Sequence, residues 1–91
     1  MRESTVEKYL CRRVDQLGGL CWKFVSPNLR GVPDRIVVMP YGRTFYVELK
    51  APGETPEPHQ LRRHKELRER GCLVLVLDST TAIDFWLEQF E

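Results

Sequence analysis

Gly31-Val32-Pro33-Asp34-Arg35-Ile36-Val37-Val38 is the stretch that decides the fold, and Phe45-Tyr46-Val47-Glu48-Leu49-Lys50 follows it after one short turn. Each stretch has the apolar composition of a strand, interrupted by ionisable residues. Because successive side chains of a strand point to opposite faces, Glu48 and Lys50 share one face. We therefore expect two neighbouring strands that bring Asp34 close to Glu48 and Lys50.

Apolar residues at helical spacing predict one helix before this pair of strands and two helices after it. Gly18-Gly19 ends the first helix, and Gly71 ends the second. We expect Ser4 and Glu7 to form a capping box on the first helix, and Thr55 to cap the second. The predicted elements are helices over 4–18 and 55–70, strands over 20–25, 34–39, 44–50 and 73–77, and a last helix after Asp78-Ser79 that carries Ile83, Trp86, Leu87 and Phe90.

The resulting order, α-β-β-β-α-β-α, predicts an α/β fold with a mixed four-stranded sheet flanked by helices. Residues 36–39 are apolar on both faces, which favours a central strand, and the composition of 73–77 predicts a fully buried one. The 91 residues suffice for one hydrophobic core, so we expect a single domain spanning 1–91.

Composition and charge narrow the class of protein. No apolar run approaches the ~18 residues needed to span a bilayer, and residues 1–7 lack the apolar core of a signal peptide. We expect a cytoplasmic protein, in a bacterial cell or a phage-infected host, with no membrane partner. Cys11, Cys21 and Cys72 are odd in number and lack zinc-ligand spacing, which predicts buried, reduced thiols.

The net charge of +1 hides an uneven distribution. Residues 1–50 carry nine Lys/Arg against five Asp/Glu, whereas residues 51–91 carry five against eight. The basic first half, together with the run Arg62-Arg63-His64-Lys65, is suited to a DNA-binding face. The alternative is that these charges are solvated helix faces.

The conjunction of Asp34, Glu48 and Lys50 indicates a chemistry. A Pro-Asp pair or a Glu-x-Lys triplet is common by itself. Carboxylates that enter buried strands, however, require a metal ion or an ion pair. Magnesium prefers oxygen ligands, and a neighbouring lysine supplies a point charge for phosphate. The pattern predicts hydrolysis of phosphodiesters with Mg²⁺ or Mn²⁺ and no organic cofactor.

The same residues resemble a known family. Pro33-Asp34 followed by Glu48-Leu49-Lys50 has the Asp…Glu-x-Lys form of the PD-(D/E)XK nuclease superfamily. The longer stretches 31–35 and 47–53, with Gln60 near a helix start and Glu7 on the first helix, closely resemble the VRR-NUC family. This resemblance implies a restriction-endonuclease-like core, of the minimal, stand-alone type found in phages and bacteria.

The resemblance also implies roles for individual residues. Asp34 and Glu48 would be metal ligands, with the backbone carbonyl of Leu49 as a third. Lys50 would orient or activate the attacking water. The implied accessory residues are Glu7, acting through the metal's water shell, and Gln60, reaching Lys50 or the water.

Partners follow from the same resemblance and from symmetry. Minimal VRR-NUC proteins are associated with branched DNA, notably four-way junctions. Resolving such a junction takes two symmetric cuts, so we expect a homodimer. Its apolar contact would come from Phe85 and Phe90 or from Trp22 and Phe24. The residues predicted to contact DNA are Lys23, Ser26, Arg30, Arg35, Arg62 and Arg63.

Three alternatives remain open from the sequence. The same residues fit a flap or general, restriction-type nuclease. A DNA-binding or assembly module without catalysis would keep the fold, although carboxylates near phosphate are unfavourable for a pure binder. A plain α/β interaction domain would use these charges in surface ion pairs. We expect His59 and His64 to be surface or helix-packing residues rather than metal ligands.

Overall fold

A four-stranded mixed sheet forms the centre of the fold in the computed structural model, which describes residues 1–91. The strands are β1 (Leu20–Lys23), β2 (Arg35–Met39), β3 (Arg43–Leu49) and β4 (Val74–Leu77). The helices are α1 (Glu3–Gln16), α2 (Pro58–Glu69) and α3 (Thr80–Leu87), with short 3₁₀ turns at Pro40–Gly42 and Glu88–Phe90. The predicted α/β order is confirmed, and no helix is long and apolar enough to cross a membrane.

The strands lie side by side in chain order. β1 pairs antiparallel with β2, and β2 pairs antiparallel with β3. The crossover through α2 returns the chain so that β4 runs parallel to β3. β2 and β3 are therefore the two central strands, and their shared end, opposite the Pro40–Gly42 turn, brings the start of one beside the finish of the other.

α1 and α3 cover one face of the sheet and enclose the core. Alternate positions of each strand point to this face, as the two-residue period requires. Phe45, Trp86 and Phe90 pack there edge to face, with ring centroids 5.1–5.7 Å apart. The buried core residues are Val6, Leu10, Val14, Val37, Met39, Phe45, Val47, Leu49, Leu77, Ile83, Trp86 and Leu87.

The second face is covered only in part. α2 lies over the end of β3 and buries His64 there. β1 has no helix above this face, so Leu20 and Trp22 are 47% and 60% exposed. Their partners across the strand pair are Val38 and Ile36. The result is an apolar patch on the sheet, which we call the open-face patch: Leu20, Trp22, Ile36 and Val38.

Three local predictions were wrong. α1 begins after Arg2 without a side-chain cap, so the expected box of Ser4 and Glu7 does not form. The N-cap of α2 is Glu57 rather than Thr55. β4 is an edge strand, and its Val76 is 37% exposed; the all-apolar composition did not distinguish an edge from a centre.

Gly31 positions the loop that leads into β2. Its φ of +93° lies in the left-handed region that glycine adopts without strain. A Cβ at this position would lie 2.6 Å from the His59 carbonyl oxygen, at the start of α2. Gly31 therefore permits close contact between the loop before Asp34 and the helix that covers Glu48.

Candidate active site

Asp34 and Glu48 meet at the shared end of β2 and β3. Asp34 immediately precedes β2, and its Oδ2 accepts a hydrogen bond of 2.8 Å from the Leu49 backbone N–H. Its own carbonyl accepts from Phe24 N–H at 2.9 Å. Asp34 is thus fixed by both neighbouring strands, and its carboxyl group lies close enough to Glu48 to raise the pKa of that residue. The structure brings together the pair that the sequence singled out.

Glu48 is a buried carboxylate, only 1% exposed, with a donor on each oxygen. Gln60 Nε2 donates to Oε2 at 3.2 Å, and His64 Nε2 forms a hydrogen bond of 3.2 Å with Oε1. Burial and the adjacent Asp34 carboxyl raise the pKa of Glu48 to about 8, although Lys50 works in the opposite direction. A carboxylate so desolvated beside another acid has a strong requirement for a cation.

Lys50 lies one residue beyond the end of β3 and is 8% exposed. Alternation along the strand puts it on the same face as Glu48. Its positive charge lowers the pKa of Glu48 and of the His64 imidazole. The predicted cluster of two carboxylates and one ammonium group is therefore present on one face of the sheet.

His64 has a role that the sequence did not indicate. It was expected to be a surface or packing residue, and it is fully buried with Nε2 directed at Glu48. Its Nδ1 is buried without a partner. Burial, followed by the charges of Arg68 and Lys50, lowers its pKa, which favours the neutral imidazole. When Glu48 is ionised, as a metal ligand would be, Nε2 carries the imidazole proton and donates it to Oε1. His64 thus fixes the orientation of a predicted metal ligand.

Gln60 works beside His64 on the same face of α2. The two residues are four apart, a spacing that aligns side chains on a helix. Gln60 Oε1 accepts from the Glu57 backbone N–H at 2.8 Å, which closes the capping box of α2. Its amide N–H group donates to Glu48, and the expected reach of Gln60 to Lys50 or to a water stays a prediction. The i, i+4 spacing was the signal that would have found the pair.

The carboxylates of α1 divide into two positions. Glu7 Oε2 accepts from Arg35 Nε at 2.7 Å, so an ion pair occupies it. Glu3, one turn earlier, has a pKa raised by burial and by the Asp34 charge, with Lys50 opposing. Glu3 therefore lies close enough to Asp34 for the two charges to interact, and nothing in its first-turn position distinguishes it in the sequence. The role of Glu7 through a metal's water shell stays a prediction.

The residues predicted to contact DNA differ in their exposure and in the contacts that already hold their side chains. Arg30 is exposed and lies 3.3 Å from the ring of His59. Arg35 is held by Glu7 and also donates to the Cys21 carbonyl at 3.2 Å. The side chain of Arg63, expected to face water, is only 15% exposed. The others lie as follows: Lys23 exposed on β1, Ser26 half-buried in the following loop and Arg62 exposed on α2.

The donor set suits a hard divalent cation. No three His, Cys, Asp or Glu side chains are arranged to hold one metal ion together, so the protein offers a pair of carboxylates rather than a full cage. Magnesium commonly binds through one or two carboxylates and keeps several waters. Asp34 and Glu48, two neighbouring acids at one strand end, fit that mode of binding. The Leu49 carbonyl is part of the same strand end, and its role as a ligand stays a prediction.

Comparisons with known proteins place the chain in a family. No protein-family model matches the chain. The chain is 53% identical over 79 residues to "Putative nuclease p44" of Acyrthosiphon pisum secondary endosymbiont phage 1, covering 87% of this chain and 85% of that protein. It is 38% identical to a solved structure described as "VRR_NUC domain", with a TM-score of 0.90 over 98% of this chain and 97% of the other. The chain therefore belongs to the VRR-NUC family of nucleases.

Proposed function

We propose that this nuclease hydrolyses DNA phosphodiester bonds with Mg²⁺ or Mn²⁺ at the Asp34–Glu48 pair, and that it cuts branched DNA as a homodimer. The observation that carries the proposal is the buried Glu48 carboxylate, which lies beside Asp34 and has Lys50 on the same face. A buried pair of acids costs folding energy that a bound cation offsets. The proposed catalytic unit is the folded chain of residues 1–91.

Each residue of the cluster has a separate task. Asp34 and Glu48 would hold the ion, and Glu3, Glu7 and the Leu49 carbonyl are candidates to complete its surroundings. The ion would lower the pKa of a bound water and neutralise charge that develops on the phosphoryl group. Lys50 presents an ammonium group to the phosphate oxygens, where it orients the reacting group and stabilises the transition state.

Gln60 and His64 position rather than react. Their two N–H groups hold both oxygens of Glu48, so the carboxylate keeps one orientation whether or not a substrate is present. Each carboxylate oxygen has further acceptor capacity after one such bond. Glu48 can therefore accept both hydrogen bonds and still offer a lone pair to a cation.

The open-face patch supports the homodimer. Leu20 and Trp22 are large apolar side chains at an uncovered sheet face, and such contiguous patches mark interaction sites. Of the other predicted contacts, Phe90 packs in the core, whereas Phe85 is 76% exposed on α3. Two copies related by a two-fold axis would carry two catalytic sites, which matches the symmetry of a four-way junction.

A cleavage assay on a panel of DNA substrates tests the activity. Linear duplex, flapped and four-way DNA would each be incubated with Mg²⁺, Mn²⁺ or Ca²⁺. We expect paired nicks in the four-way DNA and at least a ~10³-fold loss in Asp34→Asn and Lys50→Ala, as expected for removal of transition-state charge stabilisation. The matched controls are Asp15→Asn and Lys8→Ala, which change exposed residues of α1.

The panel separates the proposal from its alternatives. Equal cutting of linear duplex would show a general nuclease rather than one that is specific for branched DNA. Cutting confined to flapped DNA would show that the substrate is a flap rather than a four-way junction. Unchanged activity in Asp34→Asn and Lys50→Ala would refute the proposed site. Sedimentation of the wild type and of Trp22→Lys tests the dimer, which should dissociate in the variant; a monomeric wild type on four-way DNA would refute it.

A further inference from the structure

A pocket of about 370 Å³ lies beside the catalytic cluster, between α2 and the loop that connects β1 to β2. Its volume falls within the ~300–1,000 Å³ range of small-ligand sites. Four side chains give it apolar walls: Phe24, Leu29 and Val32 from the β1–β2 segment and Leu67 from α2. Phe24 also packs against Tyr46, with ring centroids 5.9 Å apart, which fixes its position. We call this site the loop pocket.

The polar lining of the loop pocket contains groups of both signs. Arg63, Arg70 and Glu66 come from α2, and Ser26 comes from the loop. Arg63 Nε is buried and lies 3.2 Å from Glu66 Oε1, but without the alignment of a hydrogen bond, so this donor lacks an acceptor. An unpaired buried donor is unfavourable, and a ligand that supplies an acceptor would relieve the cost.

These groups are selective for one class of ligand. A phosphate alone is disfavoured, because Glu66 would repel it and the walls are apolar. A purely apolar ligand would leave Arg63 Nε without an acceptor. A nucleobase satisfies both conditions, since it has apolar faces and an edge with donors and acceptors. The exposed Arg70 at the rim is then placed for the adjoining phosphate of the same strand.

The location connects the loop pocket to the reaction. On α2, Arg63 follows Gln60 by three residues, one turn, and Gln60 donates to Glu48. On the other side, Phe24 N–H bonds the carbonyl of Asp34. The pocket is therefore built on the same segments that fix both catalytic carboxylates. A strand whose phosphate reaches the cluster would pass the mouth of the pocket.

We propose that the loop pocket receives one unpaired nucleobase of the DNA substrate, next to the phosphate that is cut. This inference rests on the proposed function. Extruding a base from intact duplex costs unstacking and unpairing energy, and the cost is least where a base is already unpaired. The loop pocket would thus favour DNA in which pairing is interrupted, such as a branch point or a flap, over continuous duplex.

Binding measurements with defined DNA test the proposal. The probes are a continuous duplex, the same duplex with one unpaired 2-aminopurine nucleotide, and the same duplex with an abasic nucleotide at that place. Ca²⁺ replaces Mg²⁺ so that affinity is measured by fluorescence anisotropy. Because a base held against an aromatic side chain typically changes affinity by ~5- to 150-fold, we expect the unpaired-base probe to bind at least ~5-fold more tightly than the other two.

Two variants remove the loop pocket by different means. Leu29→Trp fills it from a position that is 43% exposed, so the fold should survive, which a thermal melt would check. Arg63→Gln removes the buried charge, and Arg12→Gln, at an exposed position of α1, is its control for loss of one positive charge. We expect both pocket variants to lose the preference for the unpaired base and the control to keep it. The change in 2-aminopurine fluorescence on binding should be lost in parallel.

The outcomes separate this proposal from the proposed function. Equal affinity of wild type for the base-containing and abasic probes would overturn the nucleobase assignment and would indicate a backbone contact instead. Loss of affinity on all probes in Arg12→Gln and Arg63→Gln alike would also overturn it. A wild type that prefers the unpaired base yet cuts no DNA would refute the catalytic proposal and leave the loop pocket standing.

Discussion

Glu48→Gln should remove a pH-dependent loss of stability from the metal-free protein. Burial and Asp34 raise the pKa of Glu48 from 4.5 to about 8 in the folded chain, whereas the unfolded chain keeps the ordinary value. Between these two pH values the folded state therefore binds more protons than the unfolded state. A raised pKa contributes stability that is fully present below pH 4.5 and is lost as the pH rises through 8.

The size of the effect follows from the difference between the two pKa values. The difference is about 3.5, which at ~1.36 kcal/mol for each pKa unit gives an upper limit of roughly 5 kcal/mol. Relaxation and water entry around an ionised buried group reduce such penalties. We expect the free energy of unfolding of the wild type to fall by about 2–3 kcal/mol between pH 5 and pH 9, relative to the variant. That is a large share of the ~5–15 kcal/mol of a typical domain.

Urea unfolding followed by tryptophan fluorescence, in EDTA at several pH values from 5 to 9, measures the effect. The glutamine keeps the size of Glu48 but cannot accept from both Gln60 and His64, which costs ~1 kcal/mol at every pH. The difference between the wild-type and variant curves should therefore change with pH by 2–3 kcal/mol and reverse sign. Glu66→Gln, at a half-exposed carboxylate of α2, should follow the wild type. Parallel curves for wild type and Glu48→Gln would refute the reasoning.

Three further predictions concern other features. His64→Leu removes a hydrogen-bond donor from Glu48 and should weaken Mn²⁺ binding, measured by calorimetry, ~10-fold. His64→Gln should restore part of the Mn²⁺ affinity because an amide can donate. Equal Mn²⁺ affinities of the wild type and both variants would contradict the positioning role of His64. Gly31→Ala should lower the free energy of unfolding, measured in urea, by ~2–4 kcal/mol. Its control Gly42→Ala should lower it by ~1 kcal/mol, because Gly42 also has positive φ but has open space around it. Similar losses in both variants would contradict the close contact between Gly31 and His59. Cys11 Sγ lies 2.7 Å from Cys21 Sγ, and this contact lowers the pKa of Cys11 to about 7. Diamide should therefore form one intramolecular disulfide, so that the number of titratable thiols falls from three to one. Three remaining thiols would contradict this prediction.

The sequence predicted the central part of the fold because local and global signals agree there. Two apolar strands with a short turn between them have few alternatives to antiparallel pairing, and the two-residue period then places Glu48 and Lys50 on one face. The position of Asp34 at the start of the neighbouring strand completes the cluster. This part of the site depends on strand register, which the sequence specifies strongly.

The remaining part of the site depends on how helices dock, which no single stretch specifies. Glu3 and Glu7 differ by one turn, and only the placement of α1 against β2 decides which one pairs with Arg35. In the sequence, nothing distinguishes His64 from other helix-packing residues, because its contact with Glu48 depends on how α2 docks on the sheet. The all-apolar stretch of β4 likewise gave no indication of an edge, because the neighbours of a strand are a property of topology rather than of composition.

The turn at Pro40–Gly42 is a position where the chain can accept extra segments. It lies at the opposite end of β2 and β3 from the catalytic pair, about 17 Å away for five residues at ~3.3 Å each. Tyr41 is 97% exposed, and no atom approaches within 4 Å of a Cβ built at Gly42. Extra segments joined there would project into solvent without displacing the strands' other end. We therefore expect this turn to tolerate the insertion of a targeting module or a reporter without disturbing the catalytic site.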